Sequence, residues 1–146
     1  MIRAPFLSSI IAPLVTGTLL AARITGHFGL VEFLLVLITG LGLHIATNVY
    51  NDIYDTIQGT DKVNVHRNEY SGGSGVLLEN PDLFRRMYWL ARSGLVMAFF
   101  STAGLLFFVD RDLWIYLWGL YLLSAFFSKY YTAAPVKLAY RGLGEI

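Results

Sequence analysis

From Leu30 to about Thr47 the chain is apolar, and directly behind that run comes Asn48-Val49-Tyr50-Asn51-Asp52-Ile53-Tyr54-Asp55-Thr56-Ile57-Gln58-Gly59-Thr60-Asp61. At ~1.5 Å per residue, a helix over the apolar part covers nearly the whole ~30 Å hydrocarbon core of a bilayer. Its continuation holds Asn48, Asn51, Asp52 and Asp55 within an arc of roughly 100°, with His44 one turn earlier on the same side. The apolar part demands lipid, while the acidic end demands partners. Gly59 reads as the stop of this helix, which leaves Asp61 in the following loop, able to turn back towards the stripe.

Composition supports the same class. The chain is 55% hydrophobic and 14% charged, against about 25% charged in soluble domains. Its mean hydropathy is +0.56. We therefore expect an all-α, polytopic integral membrane fold of about four transmembrane helices, near residues 4–22, 30–56, 86–109 and 113–131, with a long connection over 60–84. Ser8, Ser9, Thr16 and Gly17 suit close helix contact in lipid, and Pro13 predicts a kink. One arginine precedes the first segment, which exceeds signal-peptide length and reads as a retained helix. Asn80-Pro81-Asp82 reads as a turn and N-cap into the third helix. With no cysteine, a disulfide framework and a thiolate metal site are excluded. The net charge of +1, with no basic patch interleaved with aromatics, gives no sign of nucleic-acid binding.

Charge distribution predicts orientation. Arg3, Lys62, Arg67, Arg85, Arg86, Lys129, Lys137 and Arg141 flank one side, and Arg23 and Arg111 the other. The first side is then cytoplasmic, in a cell (inner) membrane. Both termini, the acidic stripe, the Ser71-Gly72-Gly73-Ser74-Gly75 run and the Tyr131–Arg141 segment share that face. Their convergence predicts one site.

Asp52, Asp55 and Asp61 are hard oxygen donors, and Asn48 and Asn51 add amide oxygens. Such a set suits Mg2+, which keeps several waters and is shared between one or two carboxylates and substrate phosphates; the bland alternative is a capped helix end at a membrane surface. Ser71–Gly75 can offer successive N–H groups to an anion, or act as a flexible linker. Lys129, Lys137 and Arg141 suit either a diphosphate or an anchoring role. Tyr50, Tyr54, Tyr130 and Tyr131 suit either a cation-facing cavity or an aromatic belt, and Trp89, Trp114 and Trp118 suit the belt. His44 reads as a satisfied bundle histidine.

Two of these stretches carry a family resemblance. NDIYDTIQGTD (Asn51 to Asp61) resembles the first Asp-rich motif, N-D-x-x-D-x-x-x-G-x-D, of the UbiA superfamily of intramembrane prenyltransferases. YTAAPVKLAYRGLGE (Tyr131 to Glu145) resembles the Y-T-x-x-P-x-x-L-x-Y-x-G-L-G-E segment of its MenA-like branch, the 1,4-dihydroxy-2-naphthoate polyprenyltransferases. RAPFLSSIIAPLVTG is similar to that family's first helix, and SGGSGVL stands where its glycine-containing diphosphate loop lies.

The resemblance implies a helical bundle around a cavity open to the bilayer. It also implies Mg2+-dependent transfer of a polyprenyl group from a prenyl diphosphate to an aromatic acceptor, as in menaquinone biosynthesis. Asn51, Asp55 and Asp61 match the metal and diphosphate positions and are the implied catalytic set, and Asp52 beside them is a further implied metal ligand. Ser71, Gly72, Gly73, Ser74, Tyr131, Lys137 and Arg141 match substrate-binding positions. Gly75 stands where related sequences often carry Arg. The similarity is to the N-terminal half of the family, so a further half with a second Asp-rich motif is the expected partner, and little turnover is expected from this chain alone. The alternative is a non-enzymatic four-helix membrane subunit, or a protein that binds a cation or a lipid head group.

Overall fold

The computed structural model describes residues 4–63 and 75–141. Among them every regular element is helical: α1 (Ala4–Thr25), α2 (Leu30–Gln58), the single turns α3 (Thr60–Val63) and α4 (Val76–Glu79), α5 (Phe84–Leu105) and α6 (Trp114–Tyr130). Short 3-10 turns lie at Pro81–Leu83, Arg111–Leu113 and Leu138–Tyr140. Two of the helices are long and apolar enough to cross a membrane: α1, at mean hydropathy 1.4 over Ser8–Thr25, and α2, whose apolar stretch reaches 2.0. Their neighbours fall short for visible reasons. Helix α5 carries Arg85, Arg86 and Arg92, and α6 has 17 residues, about 25 Å of helix.

Helix α2 is the axis of the bundle, and α5 packs along it more extensively than any other element. The two backbones nearly touch at one crossing. A Cβ added to Gly42 would stand 2.5 Å from the Gly94 carbonyl oxygen, and one on Gly94 would stand 2.6 Å from that of Gly42. Ala46, Ala91 and Ala98 flank the crossing and are fully buried. Small residues at helical spacing let two helices approach this closely. Towards the acidic end of α2, Val49, Tyr50, Ile53 and Met87 enlarge the core, joined by Leu77 from α4. Elsewhere large apolar side chains, among them Leu19, Leu20, Ile24, Phe100, Phe107, Ile115 and Leu122, face outwards. Large apolar groups thus lie on the outside of the described bundle as well as in its core.

Several boundaries differ from the sequence expectation. Helix α1 continues through Arg23 to Thr25, where the Thr25 hydroxyl donates to the Ala21 carbonyl at 2.9 Å. Gly26, at φ 70°, then turns the chain. Helix α5 stops at Leu105, because Leu106, Phe107 and Phe108 donate three residues back in tighter turns. Pro81 opens the 3-10 turn ahead of α5, and no side chain caps that turn; the Asn80 amide donates back to the Val76 carbonyl at 3.4 Å.

After α6 the chain turns back as a hook. Ala133 N–H donates to Lys129 O, Lys137 N–H is shared between Tyr130 O and Ala133 O, and Ala139 N–H donates to Tyr131 O. The Ala134–Pro135 peptide is cis, and Lys137 sits in the left-handed region at φ 51°. Thr132 and Ala133 become buried, and Tyr140 is delivered to the end of α2.

Candidate functional site

Gly59 makes the site possible. Its φ of 81° ends α2, with its N–H donating to Thr56 O at 3.2 Å, a left-handed turn natural to glycine. The chain re-enters a helical turn at once, so Asp61 lies on α3 and not in a loop. From there its carboxylate turns back towards Thr56, whose Oγ1 lies 3.1 Å from Asp61 Oδ2 and 2.9 Å from the Asp52 carbonyl and shares its single proton between them. Asp52, Asp55 and Asp61 are 5%, 7% and 1% exposed. Three buried carboxylates within ten residues are costly unless partners stabilise them.

The hook supplies some of those partners. Gln58 Nε2 donates to the Thr132 carbonyl at 2.7 Å, fixing the hook to α2. The Tyr140 hydroxyl donates to Asp55 Oδ1 and accepts from Thr60 Oγ1 at 3.1 Å. Tyr140 is 40% exposed overall, and the bond of its hydroxyl to Asp55 is partly buried. Burial pushes its pKa up to about 12, helped by the bond to Asp55 and by the charges of Asp55 and Asp61 and opposed by the Thr60 bond. Both carboxylates therefore act on one hydroxyl.

Asp61 Oδ1 is buried and has no hydrogen-bond partner among the described residues. Such an oxygen costs about 1–3 kcal/mol, and more when charged, unless something positive approaches it. Among the described residues no group of three or more His, Asp or Glu side chains could hold a metal ion. Mg2+ does not require three, because one or two carboxylates with waters and substrate phosphates suffice. The donor set around Asp55 and Asp61 fits that mode.

The remaining expected residues are placed as follows. Asn51 is half-buried on α2, one turn before Asp55. Asn48 donates its amide to the His44 carbonyl at 2.9 Å. Tyr131 and Lys137 are half-buried in the hook, and the Arg141 guanidinium donates to the Pro135 carbonyl at 3.0 Å, bracing the hook itself. Ser71, Gly72, Gly73 and Ser74 lie outside the described residues. Gly75 just beyond them is buried at φ 67° and opens α4, a conformation an arginine would rarely adopt. Leu77 then pins this end of the connection to α2, a burial worth roughly 1.5–3 kcal/mol.

Tyr50 belongs to neither cavity nor belt. It is buried against α5, edge-on to Tyr88 at 6.2 Å. Lys129 instead lies over the Tyr130 ring at 5.1 Å. The residues missed from sequence are the hydroxyl and amide partners Thr56, Gln58, Thr60 and Tyr140. Thr56 and Thr60 directly follow and precede aspartates, which was the available signal.

An apolar cavity of about 240 Å³ lies between α1, α2, α5 and α6, walled by Leu14, Val36, Leu43 and Leu117, with the Thr39, Thr102 and Tyr121 side chains on its lining. A second, of about 520 Å³, opens between α1 and α2 near their connecting turn and shares Leu14 and Val36 with the first. No family model, no curated protein and no solved structure matches the chain.

Proposed function

We propose that this chain is a membrane-embedded, UbiA-like component of a Mg2+-dependent prenyltransferase. In this reading Asp55 and Asp61 hold the cation that binds a prenyl diphosphate, and an aromatic acceptor of the 1,4-dihydroxy-2-naphthoate kind receives the prenyl group. One observation carries the reading. Asp55, Asp61 and the Tyr131–Arg141 hook meet at one end of a helix apolar enough to cross a membrane. The four long helices lie in the bilayer, with the acidic end cytoplasmic, in agreement with the positive-residue bias and the outward-facing apolar side chains.

The chemistry follows from charge. A diphosphate leaving group gathers negative charge as its allylic C–O bond breaks, and Mg2+ bound there supplies the compensating positive charge. The chain's own residues hold and shape that end. Thr56 orients Asp61, Tyr140 orients Asp55, and Asn51 stands one turn away to contribute an amide oxygen. The apolar walls between the helices keep water from the prenyl group. An acceptor ring carbon attacks the carbon that the diphosphate leaves, and the ring regains aromaticity by releasing the group it carried there, a proton or, at the carboxylate-bearing carbon, carbon dioxide.

The test is prenyl transfer by the full chain in lipid nanodiscs, with labelled prenyl diphosphate and naphthoate acceptor. It is run with Mg2+ or EDTA, and with or without a co-reconstituted polypeptide bearing a second acidic cluster. Product that requires Mg2+ and disappears in Asp55→Asn supports the reading. Transfer that is indifferent to both contradicts it. A non-enzymatic cation or head-group site gives Mg2+ binding lost in Asp55→Asn, with no product under any arm.

A further inference from the structure

We propose that Tyr140 is a positioning residue for Asp55, directed by Thr60, so that the Tyr131–Arg141 hook sets how tightly the acidic end of α2 holds a divalent cation. This deepens, and rests on, the reading of Asp55 and Asp61 as cation-holding carboxylates.

The bonding order gives the direction. A phenol has one proton to donate. Thr60 Oγ1 donates to the Tyr140 oxygen at 3.1 Å, which leaves the phenolic proton to point at Asp55 Oδ1. An ionised carboxylate has about four lone-pair sites, so accepting one hydroxyl leaves room for a cation while fixing the plane of the group. Asp61 is tied more loosely, because the single proton of Thr56 Oγ1 is shared between Asp61 Oδ2 at 3.1 Å and the Asp52 carbonyl at 2.9 Å. Each of the two carboxylates therefore has one oxygen tied by a hydroxyl, and on Asp61 the other oxygen is buried without a hydrogen-bond partner among the described residues.

Tyr140 differs from Thr56 in where it comes from. Thr56 is on α2 itself, whereas Tyr140 arrives from beyond α6. Its position depends on the Gln58–Thr132 bond, on the left-handed corner at Lys137, and on the Tyr140 N–H bond to Lys137 O at 3.1 Å. A shift of the hook therefore reaches the Asp55 carboxylate directly. Hydrogen-bonded partners behind a metal-ligating group typically cost 10–100-fold in affinity when removed.

The test uses the full chain in nanodiscs and Mn2+ as the probe, with free Mn2+ read by electron paramagnetic resonance. Tyr140→Phe, which keeps the ring and removes the hydroxyl, should raise the Mn2+ Kd by about 10–100-fold. Thr60→Val should raise it by a smaller factor, and Thr60→Ser should restore it. Helicity should be unchanged in all three. If wild type binds Mn2+, Asp55→Asn abolishes binding, and Tyr140→Phe and Thr60→Val bind as wild type, the proposal is overturned and the cation reading survives. If wild type does not bind Mn2+, both fall. Should Tyr140→Phe fail to fold, the Thr60 pair decides, since it leaves Tyr140 in place.

Discussion

Gln58 on α2 and Thr132 in the hook are joined by a 2.7 Å hydrogen bond from the Gln58 side-chain amide to the Thr132 backbone carbonyl. It links two segments that are far apart in the chain, at a residue that is almost completely buried. Replacing Gln58 with Ala leaves that carbonyl unsatisfied, at a cost of about 1–3 kcal/mol. Amides of residues 133–140 should then exchange with deuterium faster, while those of the α2–α5 core keep their protection. Unchanged exchange in the hook would show that the bond does not hold it.

The Gly42–Gly94 crossing gives a packing prediction with an internal control. Gly94→Ala places a methyl group against the Gly42 backbone and should destabilise the bundle by about 1–3 kcal/mol in denaturant unfolding. Gly119→Ala on α6, where an added Cβ meets nothing within 4 Å, should be neutral or stabilising by about 0.5–1 kcal/mol through helix propensity. Equal effects at the two positions would contradict the close crossing.

Tyr140 predicts an alkaline limb. Its pKa is raised from the usual 10 to about 12 in the folded chain, so between those values the unfolded chain loses the proton that the folded chain keeps. The contribution of this hydroxyl is full below pH 10 and is lost as pH rises towards 12. Unfolding followed from pH 9 to 12 should show a decline that is smaller in Tyr140→Phe. A decline of the same size in both would exclude Tyr140 as its source.

How much of this was legible in the sequence differs from residue to residue. The apolar run of α2 and its acidic end were plain, because helical periodicity and charge are local properties. The meeting of that end with the Tyr131–Arg141 segment followed from the side on which the positive residues fall. The contact that matters most there, Tyr140 on Asp55, did not. It depends on the reversal at Lys137, whose left-handed backbone has no signature in hydropathy. The place of Asp61 escapes the sequence for a similar reason: a glycine stop predicts an end, not the turn of helix that follows Gly59. By sequence Tyr50 suits a cavity or an aromatic belt, and only the closeness of α5, permitted by Gly94 and Ala91, makes it core. Helix α5 ends at Leu105, and the apolar residues just beyond it, Phe107 and Phe108, lie exposed in tighter turns that composition alone does not distinguish from helix.

Binding of a prenyl diphosphate by the full chain in nanodiscs, measured calorimetrically with Mg2+ and then with EDTA, addresses the acidic end of α2 itself. Wild type should bind in Mg2+ and not in EDTA. Asp55→Asn and Asp61→Asn should each weaken binding by more than the ~10–100-fold expected for a residue that only orients a ligand. Binding of equal strength in EDTA, or in either variant, would mean that these buried carboxylates do not grip a Mg2+-bound diphosphate.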